Sequence, residues 1–368
     1  MKSGRIANKL RLAVGILVLL IIVTGLGTAA CGNGSVSLKI LLVHSYHEKW
    51  GWNQDIKEGI IEGLSRQGYI RDLDYGLKSF YMDTKVTYVT PEQVKERGEI
   101  AISLIRDYAP DLVFVNDDDA LKYVAVEYLE RYPGDDLPFV FSGTNLDPSI
   151  YSPINSLEKP GGHITGALER FPYRDAFALG KEIVPRAIRI VLMADPSSSS
   201  TFVVSSFKER YLDKVIDSPL EIIGPVQVGT FAEWQEKISE YQTEADLLGI
   251  LTYHQLLDED GNVVPAPDVV EWTVHNNALP EIGILTFHAE DGYMMALGVS
   301  GYETGIYVGI IGGEVLSGAD PGTISIIDPG VTELAFNLER AAMLNIKLSP
   351  EELMAADIVF HEIGASRY

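Results

Sequence analysis

The chain has 368 residues, 46% of them apolar, with 29 basic against 52 acidic side chains and a formal net charge of −23. That balance argues against binding DNA or RNA, whose phosphates demand a basic face, and against electrostatic docking to anionic lipid; solubility is the plain reading of it. The single cysteine, Cys31, leaves no partner for an intramolecular disulfide and rules out a thiolate metal cluster.

Lys2, Arg5, Lys9 and Arg11 lie ahead of an apolar run over residues 12–26, and Thr28, Ala29 and Ala30 lead into Cys31. A basic start, an apolar middle and small residues before a cut are the parts of an export signal, and a cysteine directly after the cut predicts a lipid-modified amino terminus. Residues 1–30 are therefore expected to be a signal peptide, and residues 31–37 a lipidated cysteine with the flexible tether Gly32-Asn33-Gly34-Ser35. Residues 12–30 also approach the roughly 20 that span a bilayer as a helix, so an uncleaved anchor is the other reading. In both, the rest of the chain is displayed outside the cytoplasm and held at the membrane.

That remainder exceeds the roughly 250–300 residues at which single cores stop growing, which predicts two lobes. From residue 38 short apolar runs alternate with amphipathic stretches of helical length, the pattern of parallel sheets flanked by helices. In a first lobe, residues 38–160, strands are predicted at 39–44, 77–82, 111–115 and 138–141. Helix 52–67 places Ile56, Ile60, Ile61 and Leu64 on one face, a second helix opens at Pro91 and closes at Pro110, and a third covers 120–132. The rhythm restarts after a loop rich in Pro, Gly and Ser at 147–162. The second lobe, 161–323, has predicted strands at 188–193, 222–228, 247–251 and 282–287 and helices at 201–216, 231–243 and 269–276. A late strand at 324–328 and a late helix at 333–345 belong to a segment, 324–368, expected to cross back to the first lobe. The fold class is α/β, two similar lobes with parallel sheets, sharing a rhythm but no sequence repeat.

Ligands bind beyond the carboxyl ends of strands in such sheets, so the loops leaving each strand hold the candidates. The first, from His44 to Trp52, offers Tyr46, Trp50 and Trp52 to stack on a flat or apolar solute, or to pack on the neighbouring helix. His44 and His47 have helical spacing in a segment that reads as strand end and loop, which speaks against a metal. Asn116-Asp117-Asp118-Asp119 puts three acids where one helix cap suffices, so at least one of them is expected to face the cleft, where it could take a ligand ammonium, with capping of the helix start the plain alternative. Gly143, Thr144 and Asn145 end a strand with small hydrogen-bonding groups suited to a carboxylate or phosphate, or to a simple turn. In the second half Ser197 and Ser198 open a helix in a hydroxyl-rich run, and Tyr253, His254, His288 and Asp291 occupy equivalent strand-end positions. There is no Gly-x-Ser-x-Gly elbow, Walker loop or His-Glu-x-x-His helix. No catalysis and no cofactor are predicted.

The chain resembles the extracytoplasmic solute-binding proteins of ABC transporters with the type I periplasmic-binding fold, two Rossmann-like lobes. It is most similar to the branch of uncharacterised ABC substrate-binding proteins that includes tryptophan and tyrosine binders. The likeness runs from about residue 38 to 360. It is carried by His44-Ser-Tyr-His47 with Trp52, Asp117-Asp118 with Ala120, and Pro138-Phe-Val-Phe-Ser-Gly143 with Ile164-Thr165-Gly166. Further along it is carried by Phe336-Asn337-Leu338 with Ala341-Ala342, and by residues 298–321 with Tyr302, Glu303, Gly305, Gly318 and Pro321.

The resemblance implies a solute held between closing lobes, most simply an amino acid, with an aromatic one among the candidates, delivered to a permease and ATPase by a monomer. It implies contacts from Tyr46, Trp50, Trp52, Asp118, Gly143, Thr144 and Asn145, and from Ser197, Ser198, Tyr253, Asp291 and Tyr302, with Asp118 on the ammonium and Thr144 with Ser197 or Ser198 on the carboxylate. Asp119 departs from the pattern, since relatives often carry an amide there, and implies a more cationic solute. A ligand-binding sensory protein acting with a receptor kinase is the alternative that the same resemblance implies.

Overall fold

The computed structural model describes residues 38–212 and 217–364; the expected signal, Cys31 and the tether lie outside the described residues. Among those described, no helix is long and apolar enough to cross a membrane. The strand β1, Leu38–His44, is apolar on both faces and therefore central. It pairs in parallel with β2, Tyr75–Tyr81, on one side and β3, Leu112–Asn116, on the other. β4, Phe139–Thr144, and β5, Ile164–Leu168, complete a five-stranded parallel sheet in the order β2-β1-β3-β4-β5.

Successive residues along a strand point to opposite faces, and each face has its own core. Ile40, Leu42 and Phe114 pack with Ile56, Ile60 and Leu64 of helix α1, Gly51–Arg66, whereas Leu41, Val43 and Val113 pack with Val94, Ala101 and Ile105 of helix α2, Pro91–Tyr108. Thr90 and Gln93 cap α2 reciprocally, with Pro91 in its first turn, and Ala109 ends it in the left-handed conformation before Pro110. Helix α3 runs over Asp117–Arg131 with a wider π-type turn at Leu121–Val126.

The second sheet has seven strands: β6 Arg189–Ala194, β7 Glu221–Gln227, β8 Leu247–Ile250, β9 Glu281–Gly283, β10 Met295–Val299, β11 Thr332–Asn337 and β12 Ile358–Phe360, in the order β12-β11-β10-β9-β8-β6-β7. All neighbours are parallel except β10 and β11. Around it lie α4 Tyr173–Ile183, α5 Ser198–Phe207, α6 Phe231–Tyr241, α7 Ala266–Asn276, α8 Phe287–Asp291, α10 Leu338–Met343 and α11 Pro350–Ala355. The helix between α8 and α10 in sequence, α9 Gly301–Leu316, lies instead on α1. There a Cβ on Gly59 would stand 2.1 Å from the Tyr302 carbonyl oxygen, and one on Gly305 would stand 2.4 Å from that of Ile56. Only glycine lets two helix backbones touch in this way.

Four expectations are corrected. The lobe boundary placed between 160 and 161 precedes β5, which is an edge strand of the first sheet because Phe139 pairs with Ile164. The strand expected at 282–287 stops at Gly283, where a Cβ would meet His288, and Phe287 already starts α8. The helix expected at 333–345 is strand β11 up to Asn337, antiparallel to β10 with Leu334 opposite Leu297, and only then α10. Of the segment 324–368, only its start lies on the first sheet: the Leu168 amide donates to the Ile327 carbonyl at 2.9 Å and the Thr165 hydroxyl to that of Ile324 at 2.9 Å. The strands that follow extend the second sheet, while α9 makes the return.

Candidate functional site

The loops leaving β1, β2, β3, β4 and β5 meet those leaving β8 and β9 around one small cavity. Tyr46, Trp50, Trp52 and Phe171 make its aromatic wall, Lys85, Asp117, Asn145 and Glu169 its polar wall, and Val203, Thr252, Leu285 and Phe287 face them from the second half. Trp50 reaches across, its ring 5.3 Å from His254 and 5.5 Å from Phe287. The space left is about 40 Å³, room for about one water, against the ~300–1,000 Å³ of a typical ligand pocket. A solute of amino-acid size therefore enters only as Trp50 moves or the halves part. A larger cavity of about 520 Å³ shares Trp52, Leu285 and Phe287 with the first, but gathers Asp55, Glu290 and Glu333 away from the strand-end polar atoms.

Position decides which acid of the run faces the cavity. Asp117 sits at φ 71°, a left-handed conformation that Asp tolerates, and this turns its carboxylate to accept from the Trp52 indole N–H at 3.1 Å through Oδ1. Its Oδ2 is buried without a hydrogen-bond partner among the described residues. Gly143 fits beside it because a Cβ there would lie 2.9 Å from that Oδ1.

Asp118 turns the other way: it accepts from the amides of Asn145 at 3.1 Å and Leu146 at 3.3 Å, and so holds the loop after β4. Glu169, at the end of β5, accepts from the Asn145 side-chain amide at 3.1 Å. Thr144 Oγ1 and Asn145 Oδ1 are also buried without partners. Arg170 fastens this wall from behind, donating to the carbonyls of Thr144 at 3.0 Å, Asn145 at 2.7 Å and Glu169 at 2.8 Å.

In the second half, the expected contacts mostly serve the scaffold. Ser197 caps α5 by accepting from the Ser200 amide at 3.2 Å and donates its hydroxyl to Asp195 at 2.5 Å. Ser198 follows it in the helix, and its side chain lies outside the described residues. The Tyr253 hydroxyl donates to Asp291, and both are buried. Tyr302 projects from α9, 40% exposed and outside the cavity lining. Neither His44, stacked on Tyr81 at 4.8 Å and pushed down to about 3 by burial, nor any group of three described His, Cys, Asp or Glu residues is arranged as a metal site.

Lys85, Glu169 and Phe171 escaped the sequence reading. All three follow strand ends, so applying the strand-end rule to β2 and β5 would have found them.

Burial and the neighbouring Asp118 charge push the Glu169 carboxyl up to about 8; burial lifts Asp118 to about 6, and Asp117 is raised well above the usual range, chiefly by burial and then by Glu169. A carboxyl raised on folding binds more protons in the folded than in the unfolded state, so it favours the fold at low pH and that contribution is lost as pH climbs. Unliganded protein is expected to lose stability between pH 4.5 and about 8 through Glu169. In denaturant melts across that range Glu169→Gln should flatten the decline; a slope as steep as that of the wild type would mean that Glu169 ionises as easily folded as unfolded.

The sequence profile described as "ABC transporter substrate binding protein" matches residues 131–359. A tyrosine-binding protein from Clostridioides difficile (strain R20291) is 23% identical over 219 residues; the alignment spans 59% of this chain and 60% of that relative's length. Among solved structures, an ABC domain in complex with L-Trp from Streptococcus pneumonia has a TM-score of 0.65 at 20% identity, covering 88% of this chain and 99% of that one. A ligand-free, open substrate binding protein with adhesive properties from Clostridium difficile has a TM-score of 0.65 at 16% identity, covering 88% and 100%. At such identities the two structures show the fold, and the profile shows the family: this chain belongs to the ABC transporter substrate-binding proteins.

Proposed function

We propose that the protein is an extracytoplasmic solute-binding lipoprotein, held to the membrane through Cys31, that captures an aromatic amino acid between its two halves and delivers it, as a monomer, to an ABC permease and ATPase. The observation that carries this reading is the unpartnered, buried Asp117 Oδ2 beside the aromatic wall of Tyr46, Trp50 and Trp52. A ring would stack on that wall while the ammonium takes the waiting acceptors, Asp117 Oδ2 with Thr144 Oγ1 and Asn145 Oδ1. The tyrosine and tryptophan in the names of its relatives support the same ligand class. Asp118 then acts one step back, by shaping the loop that presents Thr144 and Asn145. Closure of the halves about the segments that join them would seal the solute from water.

A thermal-shift screen of the purified protein against amino acids, small peptides, nucleosides and sugars tests this. Ligand at about a hundredfold over Kd adds about 2.7 kcal/mol by mass action, a rise of several degrees in Tm. Tryptophan or tyrosine should give that rise. No shift with any amino acid, alongside one with a sugar or nucleoside, would overturn the assignment.

A further inference from the structure

We propose that Lys85 is the carboxylate anchor of this site, gripping the acidic end of a zwitterion whose ammonium lies on Asp117. This rests on reading the cleft as an amino-acid site and names the residue responsible for half of the recognition.

Lys85 is the one cation among the described residues lining the cavity, and it is 8% exposed. Its backbone is fixed at the meeting of the two halves: the Thr84 amide and hydroxyl donate to the Ser45 carbonyl at 2.9 and 3.0 Å, and Gln255 of the second half donates to the Lys85 carbonyl at 2.8 Å. Its ammonium lies 4.6 Å from the Trp50 ring centroid and 4.9 Å from that of Tyr46, so the aromatic wall holds the charge inside the cleft. It is close enough to Asp117 and Glu169 to favour the ionised form of both. Positive and negative groups thus stand on one wall, with the stacking surface beside them, an arrangement that suits the two charged ends of one small molecule. Of the hydroxyls expected to take the carboxylate, Thr144 with Ser197 or Ser198, that of Ser197 is engaged with Asp195 and the start of α5. Charged partners also bind a carboxylate about twice as strongly as a neutral hydroxyl does.

Calorimetric titration of the full chain with L-tryptophan and L-tyrosine, and with tryptamine and tyramine, which lack the carboxylate, tests the assignment. Wild type should prefer each amino acid over its amine by at least about tenfold, Lys85→Met should lose that preference while keeping its affinity for the amine, and Lys85→Arg should restore part of it. A preference that survives in Lys85→Met, or an equal loss for acid and amine, would overturn the anchor and leave the amino-acid reading standing. Binding of neither by wild type would overturn both. The Lys85→Arg variant and a melt of each protein separate a folding defect from a lost contact.

Discussion

Gly305→Val is expected to cost more than about 3 kcal/mol, beyond the usual ~1–3 kcal/mol of overpacking, because the clash is with backbone on every side. A Cβ at Gly305 would lie 2.4 Å from the Ile56 carbonyl oxygen and 2.9 Å from the Gly59 Cα, and no flexible side chain can yield. The helices α1 and α9 would have to separate along their length, and Gly63 and Gly309, whose added Cβ atoms would stand 2.3 Å and 2.5 Å from carbonyl oxygens of the opposite helix, would lose the same contact. Domains of this kind hold only ~5–15 kcal/mol in reserve, so the variant should unfold at markedly lower denaturant or fail to accumulate. Gly318→Ala is the control: it is strained by its φ of 103° but meets nothing within 4 Å, and should cost about 1 kcal/mol. Equal midpoints for the two variants in urea would refute the tight packing of the pair. The contact also ties α9 to the first sheet although its neighbours β10 and β11 belong to the second. Any opening of the halves must therefore bend the chain where it passes between the sheets: after β5, between β10 and α9, and between Ile327 and β11.

Asp117→Asn is the second large effect, on binding rather than stability. Asparagine tolerates the left-handed backbone at φ 71° and can still accept from the Trp52 indole, so the loop should keep its shape while the charge is lost. Removing one partner of a buried, hydrogen-bonded charge pair costs about 2–5 kcal/mol, which corresponds to a drop in affinity of about thirtyfold or more. Asp118→Asn should behave differently. It replaces a carboxylate bonded to the amides of Asn145 and Leu146, so stability falls first and affinity only through a loosened loop. Calorimetry on both variants decides between the two acids, and an unchanged Kd in Asp117→Asn would remove it from the site.

Local periodicity was enough to read the α/β architecture and its two sheets, because a buried parallel strand and an amphipathic helix each announce themselves over a few consecutive residues, as in 39–44 and 52–67. The strand-end rule likewise picked out Tyr46, Trp50, Trp52 and Asn145, all of which line the cavity. Where the reading failed, the deciding contact was distant in sequence. Thr332–Asn337 is a strand because β10 lies alongside, a pairing that overrides the helical pattern of the segment. Gly301–Leu316 lies on the first sheet's helix because four glycines from two distant segments meet. Within the run of three acids, hydrogen-bonding capacity is identical and only the backbone turn at Asp117 separates the acid aimed at the cavity from the one that holds a loop. Lys85 and Glu169, carried by different strands, become one polar wall only when β2 and β5 take their places in the same sheet, since charge recognition depends on distances across the fold and not on spacing along the chain.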